Sequence, residues 1–527
     1  MIYNLAQIVE QSAARFPNKE AFRCLDNAIT YSKLEEQSKQ LAAYLIEAGL
    51  EKGDRVGIFM NRCLETATAV HGVFMAGGVF VPINPFMPVA RVVTIMADCN
   101  IQHLLTTPAQ KSKINKIAAE APFLTSVVGL SEVESPDVRA YTWDTVFSRS
   151  LEDFQAPNIL EQDLAFILYT SGSTGTPKGI MHTHYSGLSI AKLAADLHDF
   201  SSEDRVGNFA PLHFDPSTFG YFAAPLVGAT TVIIPDAHLK LPVSLCTLVA
   251  KEKITVWYSV PLTLVQVLLH GEIDDHDFSS LRWVLFIGEV FPVKHLRELM
   301  IKWPHAKFNN LYGPAETVAC TYYVIPEPPQ ADEMVPIGTV WGNTDYKILD
   351  SADNEVAKGE EGELVVRTAT LMAGYWNNKE LTERSFFRVP QAAGYDYIFY
   401  RTGDQVREND KGELLFLGRN DRQIKLRGYR IELDEIEVTL LRNAQVEEAA
   451  VVVVETGEDE RELEAVVRLV AGASIQAEEV LNFSKTFLPS YAVPRSLRIM
   501  EDFPRTGSGK IDRNEIIKIL EAQVYDG

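Results

Sequence analysis

The chain has 527 residues, of which 46% are hydrophobic and 23% charged, a globular composition with material for about three or four folding units. Its formal net charge of -22 at pH 7 excludes broad binding to nucleic acid or to anionic lipid, because both need a basic surface. The five scattered cysteines predict neither a disulfide framework nor a Cys-x-x-Cys metal site, and they favour a reducing cytoplasm.

The N-terminal stretch "MIYNLAQIVEQSAARFP" lacks the basic, apolar and small-residue order of a secretion signal. The spacing of Leu5, Ile8 and Val9 predicts an amphipathic helix instead. The later apolar stretch "VHGVFMAGGVFVPINP" is interrupted by two glycines and Pro82 well short of the ~20 residues that cross a bilayer. We therefore expect no transmembrane segment.

Short apolar runs alternate with helical patterns through about residue 335. The runs are "RVGIFM", "VFVPI", "TTVIIP", "ITVWYSV" and "LRWVLFIG", and "CLETATAVHGVFMAG" is a helix-like segment among them. Almost wholly apolar strands between helices are typical of parallel sheets covered on both faces. The sequence therefore predicts an α/β fold with doubly wound sheets.

The pattern changes twice after this region. Residues 336–420 hold short strands punctuated by glycine ("YKILD", "GELVVR", "GELLFLG"), which predict a distorted antiparallel β-barrel. Two helix-like segments and two strands follow, the order of a small α+β domain. We expect an N-terminal core of residues 1–420, divided near residue 335, and a small mobile domain of residues 421–527.

A glycine-rich stretch, "YTSGSTGTPKG", follows the apolar run "LAFIL" at residues 169–179. A glycine-rich turn between a strand and a helix leaves backbone N–H groups free to converge on an anion, and Ser, Thr and Lys add donors and a positive charge. A plain surface loop is the alternative. A P-loop is excluded, because Pro177 precedes the lysine and Gly179 stands where Ser or Thr should bind Mg²⁺; the later "GSGK" has Pro504 in place of the first glycine.

The whole stretch "LAFILYTSGSTGTPKGIMHTH" closely resembles the phosphate loop of the adenylate-forming superfamily. That superfamily comprises acyl-CoA synthetases, luciferases and the amino-acid adenylation domains of nonribosomal peptide synthetases. Other stretches resemble its motifs in chain order: "ITYSKLEEQSKQLA", "NLYGPAET", "GELVVRT", "YRTGD", "GRNDRQIKLRGYRIEL", "LPSYAVP" and "RTGSGKIDR". Together they span nearly the whole chain.

The resemblance implies attack of a substrate carboxylate on the α-phosphate of Mg-ATP, followed by attack of a thiol on the activated carbonyl. Cations and N–H donors placed around the phosphates would supply most of the catalysis. The nucleotide would be held by Thr170, Ser171, Gly172, Ser173, Thr174, Gly175, Lys178, Gly288, Tyr312, Gly313, Ala315, Glu316, Thr317, Asp404, Arg419 and Lys510.

Individual roles follow from the same resemblance. Tyr312 would stack on adenine, Asp404 and Arg419 would contact the ribose, and Glu316 would ligate Mg²⁺. Lys178, Thr174, Lys425 and Lys510 are the implied catalytic residues. Asp421 would be the hinge about which the small domain turns, exchanging Lys510 for the face that carries Lys425, Gly428 and Tyr429. Outside these motifs, each such residue is more often a solvated side chain or a turn.

Asp215 in "PLHFDPSTFG" occupies the position at which amino-acid-activating members carry an aspartate for the substrate α-ammonium group. The motifs align the pocket residues as Phe214, Asp215, Pro216, Phe219, Tyr258, Leu285, Ile287, Leu311, Ala319 and Cys320. This set is similar to the pocket of enzymes that load L-proline onto a carrier protein, with departures at Pro216 and Ile287. Alanine, valine or another small apolar amino acid remains an alternative substrate. Apolar pockets discriminate between two substrates that differ by one methylene group by only about 1–3 kcal/mol.

Only fourteen residues follow Arg513, too few for a carrier domain, so we expect the thiol to be the phosphopantetheine of a separate carrier protein. Two other functions remain open. An acyl- or aryl-CoA ligase is disfavoured by Asp215, and a nucleotide-binding scaffold without activity is disfavoured by Lys178, Glu316, Asp404 and Lys510.

Overall fold

The structure is a computed structural model that describes residues 2–172, 176–330, 334–419, 421–457, 460–506 and 511–524. The chain divides into two compact units. The larger consists of Met1–Pro85, Met96–Tyr169 and Gly179–Asn420, and the smaller of Phe86–Ile95, Thr170–Lys178 and Asp421–Gly527. The domain boundary near Asp421 stays a prediction.

A nine-stranded sheet supplies much of the larger unit, with six parallel strands at its centre. These strands are buried nearly throughout, since helices cover both faces of such sheets. In spatial order the strands are Thr339–Val340, Thr321–Ile325, Lys307–Tyr312, Trp283–Ile287, Val256–Ser259, Arg205–Asn208, Thr230–Ile233, Glu20–Cys24 and Asn27–Thr30.

An eight-stranded sheet forms the second α/β layer of this unit. Its strands, in spatial order, are Gly374–Tyr375, Lys178–Thr183, Leu164–Thr170, Val79–Pro82, Arg55–Phe59, His103–Thr106, Ser126–Val128 and Arg139–Tyr141. The predicted α/β fold is confirmed, because both large sheets are built mainly from parallel strands.

Helices alternate with these strands along the chain, as the apolar periodicity predicts. They are Gln7–Arg15, Tyr31–Glu47, Glu65–Met75, Val89–Asp98, Lys111–Glu120, Trp143–Phe147, His184–Leu197, Ala224–Val227, Asp236–Leu239, Pro242–Lys251, Pro261–His270, Val293–Lys302 and Lys379–Arg384. Among the described residues, none of the helices combines the length and the apolar composition needed to cross a membrane. All five cysteines are free.

The glycine-punctuated region forms an open antiparallel sheet of Thr344–Leu349, Glu361–Thr368, Asp396–Glu408, Phe386–Pro390 and Leu414–Arg419. The expected barrel is wrong in this respect: within the described strands, the sheet does not close. Two strands, Phe386–Pro390 and Leu414–Arg419, pair with the two ends of the long strand Asp396–Glu408, and Thr344–Leu349 ends the sheet on the other side.

The smaller unit contains the predicted α+β elements. Three strands (Val446–Gly457, Glu460–Leu469 and Ser496–Ile499) form one sheet, and Gln423–Leu426 pairs with Tyr429–Glu432 in a hairpin. The helices that follow residue 421 in this unit are Leu433–Leu441, Ala477–Lys485 and Arg513–Val524. The first two were expected from the sequence, whereas the helix from Arg513 was not.

Candidate functional site

Four of the predicted pocket residues lie on neighbouring parallel strands of the nine-stranded sheet, and three of them, Tyr258, Ile287 and Leu311, stand at or next to the carboxyl end of their strand. Tyr258 lies opposite Leu285 on neighbouring strands, and Ile287 lies opposite Leu311 on the next pair. This edge is where open α/β sheets bind ligands. The buried members of the predicted set are Phe219, Tyr258, Leu285, Ile287, Leu311, Ala319 and Cys320, while Phe214, Asp215 and Pro216 are half-buried.

Tyr258 brings a hydroxyl group into this apolar wall. The residue is 2% exposed, and its hydroxyl has no hydrogen-bond partner among the residues that the structure describes. Burial raises the pKa of Tyr258 well above its ordinary value, and the charge of Asp215 raises it further. A buried polar group without a partner costs about 1–3 kcal/mol, so this oxygen is a candidate contact for a polar ligand group.

Asp215 begins a short 3-10 helix that leads directly into a π-helical turn starting at Phe219. The hydroxyl of Thr218 donates to the backbone oxygen of Asp215 at 2.7 Å and so fixes this start. The ring of Phe219 lies 4.3 Å from that of Tyr258. Because π turns often occur at functional sites, the irregular backbone agrees with a binding role for this segment.

Tyr312, Asp404 and Arg419 form one hydrogen-bonded group, in which Tyr312 and Asp404 are buried and Arg419 is half-buried. The hydroxyl of Tyr312 and the guanidinium of Arg419 donate to opposite oxygens of the Asp404 carboxylate. Arg419 also donates to the backbone oxygen of Thr402 at 3.1 Å. Burial raises the pKa of Tyr312 well above its ordinary value, with a further contribution from the Asp404 charge, so Tyr312 remains a donor. Each carboxylate oxygen keeps capacity to accept another hydrogen bond.

The Thr-Gly-Asp motif lies within the strand Asp396–Glu408, at an irregularity of its pairing. Glu363 pairs with Gln405 while Val365 pairs with Arg401, so the strand carries extra residues at 402–404. Gly403 has a φ of +71°, a conformation that favours glycine. Such bulges redirect side chains beside binding sites, and this one places Asp404 against Tyr312.

Glu316 is fully buried in a tight turn that follows the strand Lys307–Tyr312. Its Oε1 accepts a hydrogen bond from the hydroxyl of Tyr375 at 2.7 Å, and its backbone oxygen accepts from the N–H of Met372 at 2.8 Å. Val318 in the same turn has a φ of +61°, a strained conformation for a β-branched residue. Strain of this kind is concentrated at functional sites.

The other predicted residues of the larger unit have local contacts. Gly288 follows a strand with a φ of +104°, so a side chain there would be strained. A Cβ on Gly313 would lie 2.6 Å from the Cα of Ala319. The hydroxyl of Thr317 donates within the turn, to the backbone oxygen of Pro314 at 3.2 Å.

Several predicted residues belong to the smaller unit. Ser171 donates its hydroxyl to the backbone oxygen of Arg430 at 3.0 Å, and the hydroxyl of Thr170 is buried without a partner in the described part of the chain. Gly172, Lys178 and Lys425 are also described, with Lys178 at the start of a strand and Lys425 on the hairpin. Ser173, Thr174, Gly175 and Lys510 lie outside the described residues.

The hairpin turn of the smaller unit explains why position 428 is glycine. Arg427 and Gly428 have φ values of +55° and +79°, the pair of positive angles that a type I′ turn needs. The ring of Tyr429 stacks on that of Tyr491 at 4.0 Å. Asp421, the predicted hinge, accepts a hydrogen bond from the N–H of Gln423 at 3.2 Å.

Residues 9–376 match the family model of AMP-binding enzymes, and residues 435–510 match that of the AMP-binding enzyme C-terminal domain. This chain belongs to the AMP-binding enzymes. Among the relatives of this AMP-binding enzyme are the L-proline–[L-prolyl-carrier protein] ligases of Pseudomonas fluorescens and Streptomyces coelicolor. The Pseudomonas enzyme is 33% identical, and the alignment covers 97% of this chain and 98% of that enzyme. The Streptomyces enzyme is 34% identical, and the alignment covers 97% of this chain and 95% of that enzyme.

The fold of this AMP-binding enzyme also matches a solved structure, an amide bond synthetase from Marinactinospora thermotolerans. The TM-score is 0.86 at 20% sequence identity, over 98% of this chain and all of the other. At this identity the match concerns the fold alone.

The residues around Glu316 suit a magnesium ion. The carboxylate offers hard oxygen ligands, and the hydrogen bond from Tyr375 described above orients it. In the described part of this AMP-binding enzyme, no group of three His, Cys, Asp or Glu side chains could hold a metal by itself. Mg²⁺ does not need such a group of three side chains, because it is usually bound through one or two carboxylates together with substrate phosphates.

Two buried residues that contact the predicted site were missed by the motifs. Tyr375 bonds Glu316, and His182 lies with its Nε2 2.9 Å from the backbone oxygen of Ala315. Burial lowers the pKa of His182 to about 4. The signal for His182 was its place in "GIMHTH", where a polar residue stands among the buried positions of the strand that follows the glycine-rich stretch.

Proposed function

We propose that this enzyme activates an amino acid with Mg-ATP and transfers the aminoacyl group to the phosphopantetheine thiol of a separate carrier protein, with L-proline as the preferred substrate. The observation that carries the proposal is Asp215, whose charge acts on Tyr258 in an otherwise apolar wall. The two curated relatives named as prolyl-carrier protein ligases, each aligned over nearly the whole chain, support the same substrate class.

Asp215 would bind the protonated nitrogen of the amino acid. The buried pair of Phe219 and Tyr258 would bound one side of a small apolar side chain, and Leu285 and Leu311, on neighbouring strands, would bound the other. A protonated secondary amine has two N–H groups. One would donate to the Asp215 carboxylate and the second to the Tyr258 oxygen, which has no partner in the described structure.

In the first step, the substrate carboxylate forms a bond to the α-phosphorus of ATP, and the bond to the bridging oxygen breaks to release pyrophosphate. Asp404 and Arg419 would hold the ribose, and Tyr312 would stack on the adenine. Glu316 would hold Mg²⁺, which neutralises phosphate charge when it is bound. The roles of Thr170, Ser171, Gly172, Ser173, Thr174, Gly175, Lys178 and Lys510 rest on their sequence motifs.

In the second step, the carrier thiol attacks the activated carbonyl, AMP leaves, and the thiol proton is released to solvent. The Gln423–Glu432 hairpin carries Lys425, Gly428 and Tyr429, the residues that the motifs assign to this step. Its two-residue turn sets the pairing of the two strands that carry Lys425 and Tyr429. The cytoplasm, with its ATP supply, is the proposed location.

Exchange of labelled pyrophosphate into ATP, measured with each of the twenty amino acids, tests the first step. We expect the strongest exchange with L-proline and weaker exchange with alanine or valine. Turnover with a carboxylic acid and CoA, together with no amino-acid-dependent exchange, would favour an acyl-CoA ligase instead. Loss of adenylate formation in Lys510→Ala would separate an enzyme from a scaffold, and transfer of the amino acid to a holo-carrier protein tests the second step.

A further inference from the structure

His182 is a fully buried histidine on the strand Lys178–Thr183, and the adenylation motifs assign it no role. Its ring stacks on Phe166, with centroids 4.8 Å apart and planes at 18°. Its Nε2 lies 2.9 Å from the backbone oxygen of Ala315, and its Nδ1 lies 3.2 Å from Oγ of Ser186. Both nitrogens therefore have partners, and the ring has one fixed orientation.

The partners determine which ring nitrogen carries the proton. A backbone carbonyl only accepts, so Nε2 must be the donor to Ala315. The one hydroxyl proton of Ser186 lies within reach of two acceptors, Nδ1 of the neutral ring and the Thr183 backbone oxygen 3.1 Å away. The hydroxyl of Ser186 is itself held in the capping box at the start of the helix His184–Leu197.

The carbonyl that His182 holds belongs to the residue immediately before Glu316. This turn is under strain, as the positive φ of Val318 shows, and Gly313 has no space for a side chain. Backbone strain persists only where the surroundings determine the conformation. The hydrogen bond from His182 is one such determinant, because it fixes the peptide plane between Ala315 and Glu316.

The same strand supports Glu316 from a second direction. Met181 and Ile180 pair with Gly374 and Tyr375, and Tyr375 donates to the Glu316 carboxylate. One strand of the eight-stranded sheet thus controls both the backbone before Glu316, through His182, and its side chain, through the neighbouring tyrosine.

We propose that His182 is a positioning residue, whose Nε2–H group holds the Ala315 carbonyl and thereby sets the direction of the Glu316 carboxylate toward magnesium-bound ATP. The inference rests on the proposed function for the role of Glu316. It assigns no contact between His182 and the substrates.

Three variants test this role: His182→Leu removes the donor, His182→Gln keeps an N–H donor, and His103→Leu is the control. His103 is a comparably buried histidine, 4% exposed, whose Nδ1 lies 2.8 Å from Oγ of Ser126. Isothermal titration with Mg-ATP should give a Kd about tenfold higher for His182→Leu than for the wild type, the size expected for one lost hydrogen bond. The Kd should stay within about twofold of the wild type in His182→Gln and His103→Leu.

Pyrophosphate exchange adds a kinetic measurement. In His182→Leu, kcat should fall and the KM for Mg-ATP should rise, while the KM for the amino acid stays unchanged. Equal Mg-ATP affinity in His182→Leu and the wild type, or an equal loss in His103→Leu, would overturn the inference. If the wild type binds Mg-ATP but shows no exchange with any amino acid, the proposed function fails, and the titrations still decide the role of His182.

Discussion

The hydroxyl of Tyr312 donates a hydrogen bond to the carboxylate of Asp404, 92 residues further along the chain. Tyr312 ends a strand of the nine-stranded sheet, whereas Asp404 lies on a bulge of the five-stranded sheet. This bond therefore ties together the two sheets at the predicted adenosine site, and Arg419 completes the group on the other oxygen.

Tyr312→Phe tests this tie. Hydrogen bonds to charged groups contribute about 1.5–3 kcal/mol, so we expect the KM for ATP to rise about tenfold or more, with little change in the KM for the amino acid. Tyr346→Phe is the matched control. The hydroxyl of Tyr346 donates to the carboxylate of Glu408 at 2.9 Å in the five-stranded sheet that also holds Asp404, and Tyr346 has no predicted role. An equal rise in both variants would mean that the effect is general to the sheet.

Asp215→Asn and Asp215→Ala test the proposed amine contact. Removal of one partner of a buried ion pair costs about 3–5 kcal/mol, so amino-acid-dependent pyrophosphate exchange should fall at least about 100-fold. Titration with ATP in the absence of amino acid should give an unchanged Kd, because the motifs assign Asp215 to the amino acid and not to the nucleotide. Exchange that remains proline-dependent at the wild-type rate would show that the pocket has been assigned wrongly.

Tyr258→Phe removes a hydroxyl that lacks a partner in the described structure. Because no hydrogen bond to the described residues is lost, we expect an equal or higher melting temperature, together with weaker binding of proline. Tyr31→Phe provides the contrast, since the equally buried Tyr31 donates to the backbone oxygen of Ala229 at 2.5 Å. Differential scanning fluorimetry should show a lower melting temperature for that variant, and a similar loss in Tyr258→Phe would contradict the prediction.

We expect the folded protein to lose stability in mild acid because of the buried His198. Its Nδ1 lies 2.8 Å from the Ala194 oxygen and its Nε2 3.0 Å from the side-chain nitrogen of Asn309, an arrangement that suits one ring proton but not two. Burial lowers the pKa of His198 to about 4, whereas the unfolded chain has about 6.5. The stabilisation is complete above pH 6.5 and is lost as the pH falls toward 4, because the unfolded state then binds the proton first.

Between pH 7 and pH 5 this residue should account for about 2 kcal/mol of lost stability. The melting temperature should fall over this range, and it should fall less in His198→Gln, which cannot take up the proton. Identical pH profiles for both proteins would rule out His198 as a contributor.

The sequence predicted the α/β architecture well because buried parallel strands are apolar along their whole length. "LRWVLFIG", for example, contains the strand Trp283–Ile287, and "CLETATAVHGVFMAG" contains the helix Glu65–Met75. Sheet closure was predicted wrongly, since alternation and glycines identify antiparallel strands but not whether the first and last strands pair. The open end at Thr344–Leu349 depends on tertiary packing.

The sequence assigns roles in the candidate site where one motif carries the chemistry, as at Asp215, Glu316 and Asp404, and these roles stay predictions. The hydrogen bonds and backbone irregularities that hold these residues in place could not be predicted from the sequence. Tyr375 and Glu316 are 59 residues apart, and neither short stretch indicates the other as its partner. The bulge at Gly403 was equally hidden, because a Thr-Gly-Asp stretch alone is more typical of a turn than of a strand.

The predicted pocket residues Tyr258, Leu285 and Leu311 lie on neighbouring parallel strands that pair through backbone hydrogen bonds. Exchanging such a side chain alters cavity shape while the ladder beneath keeps its register. Selectivity can thus diverge among descendants of one scaffold without rebuilding the nucleotide machinery. For the protein engineer, these three positions are the natural ones to randomise when a different building block is wanted.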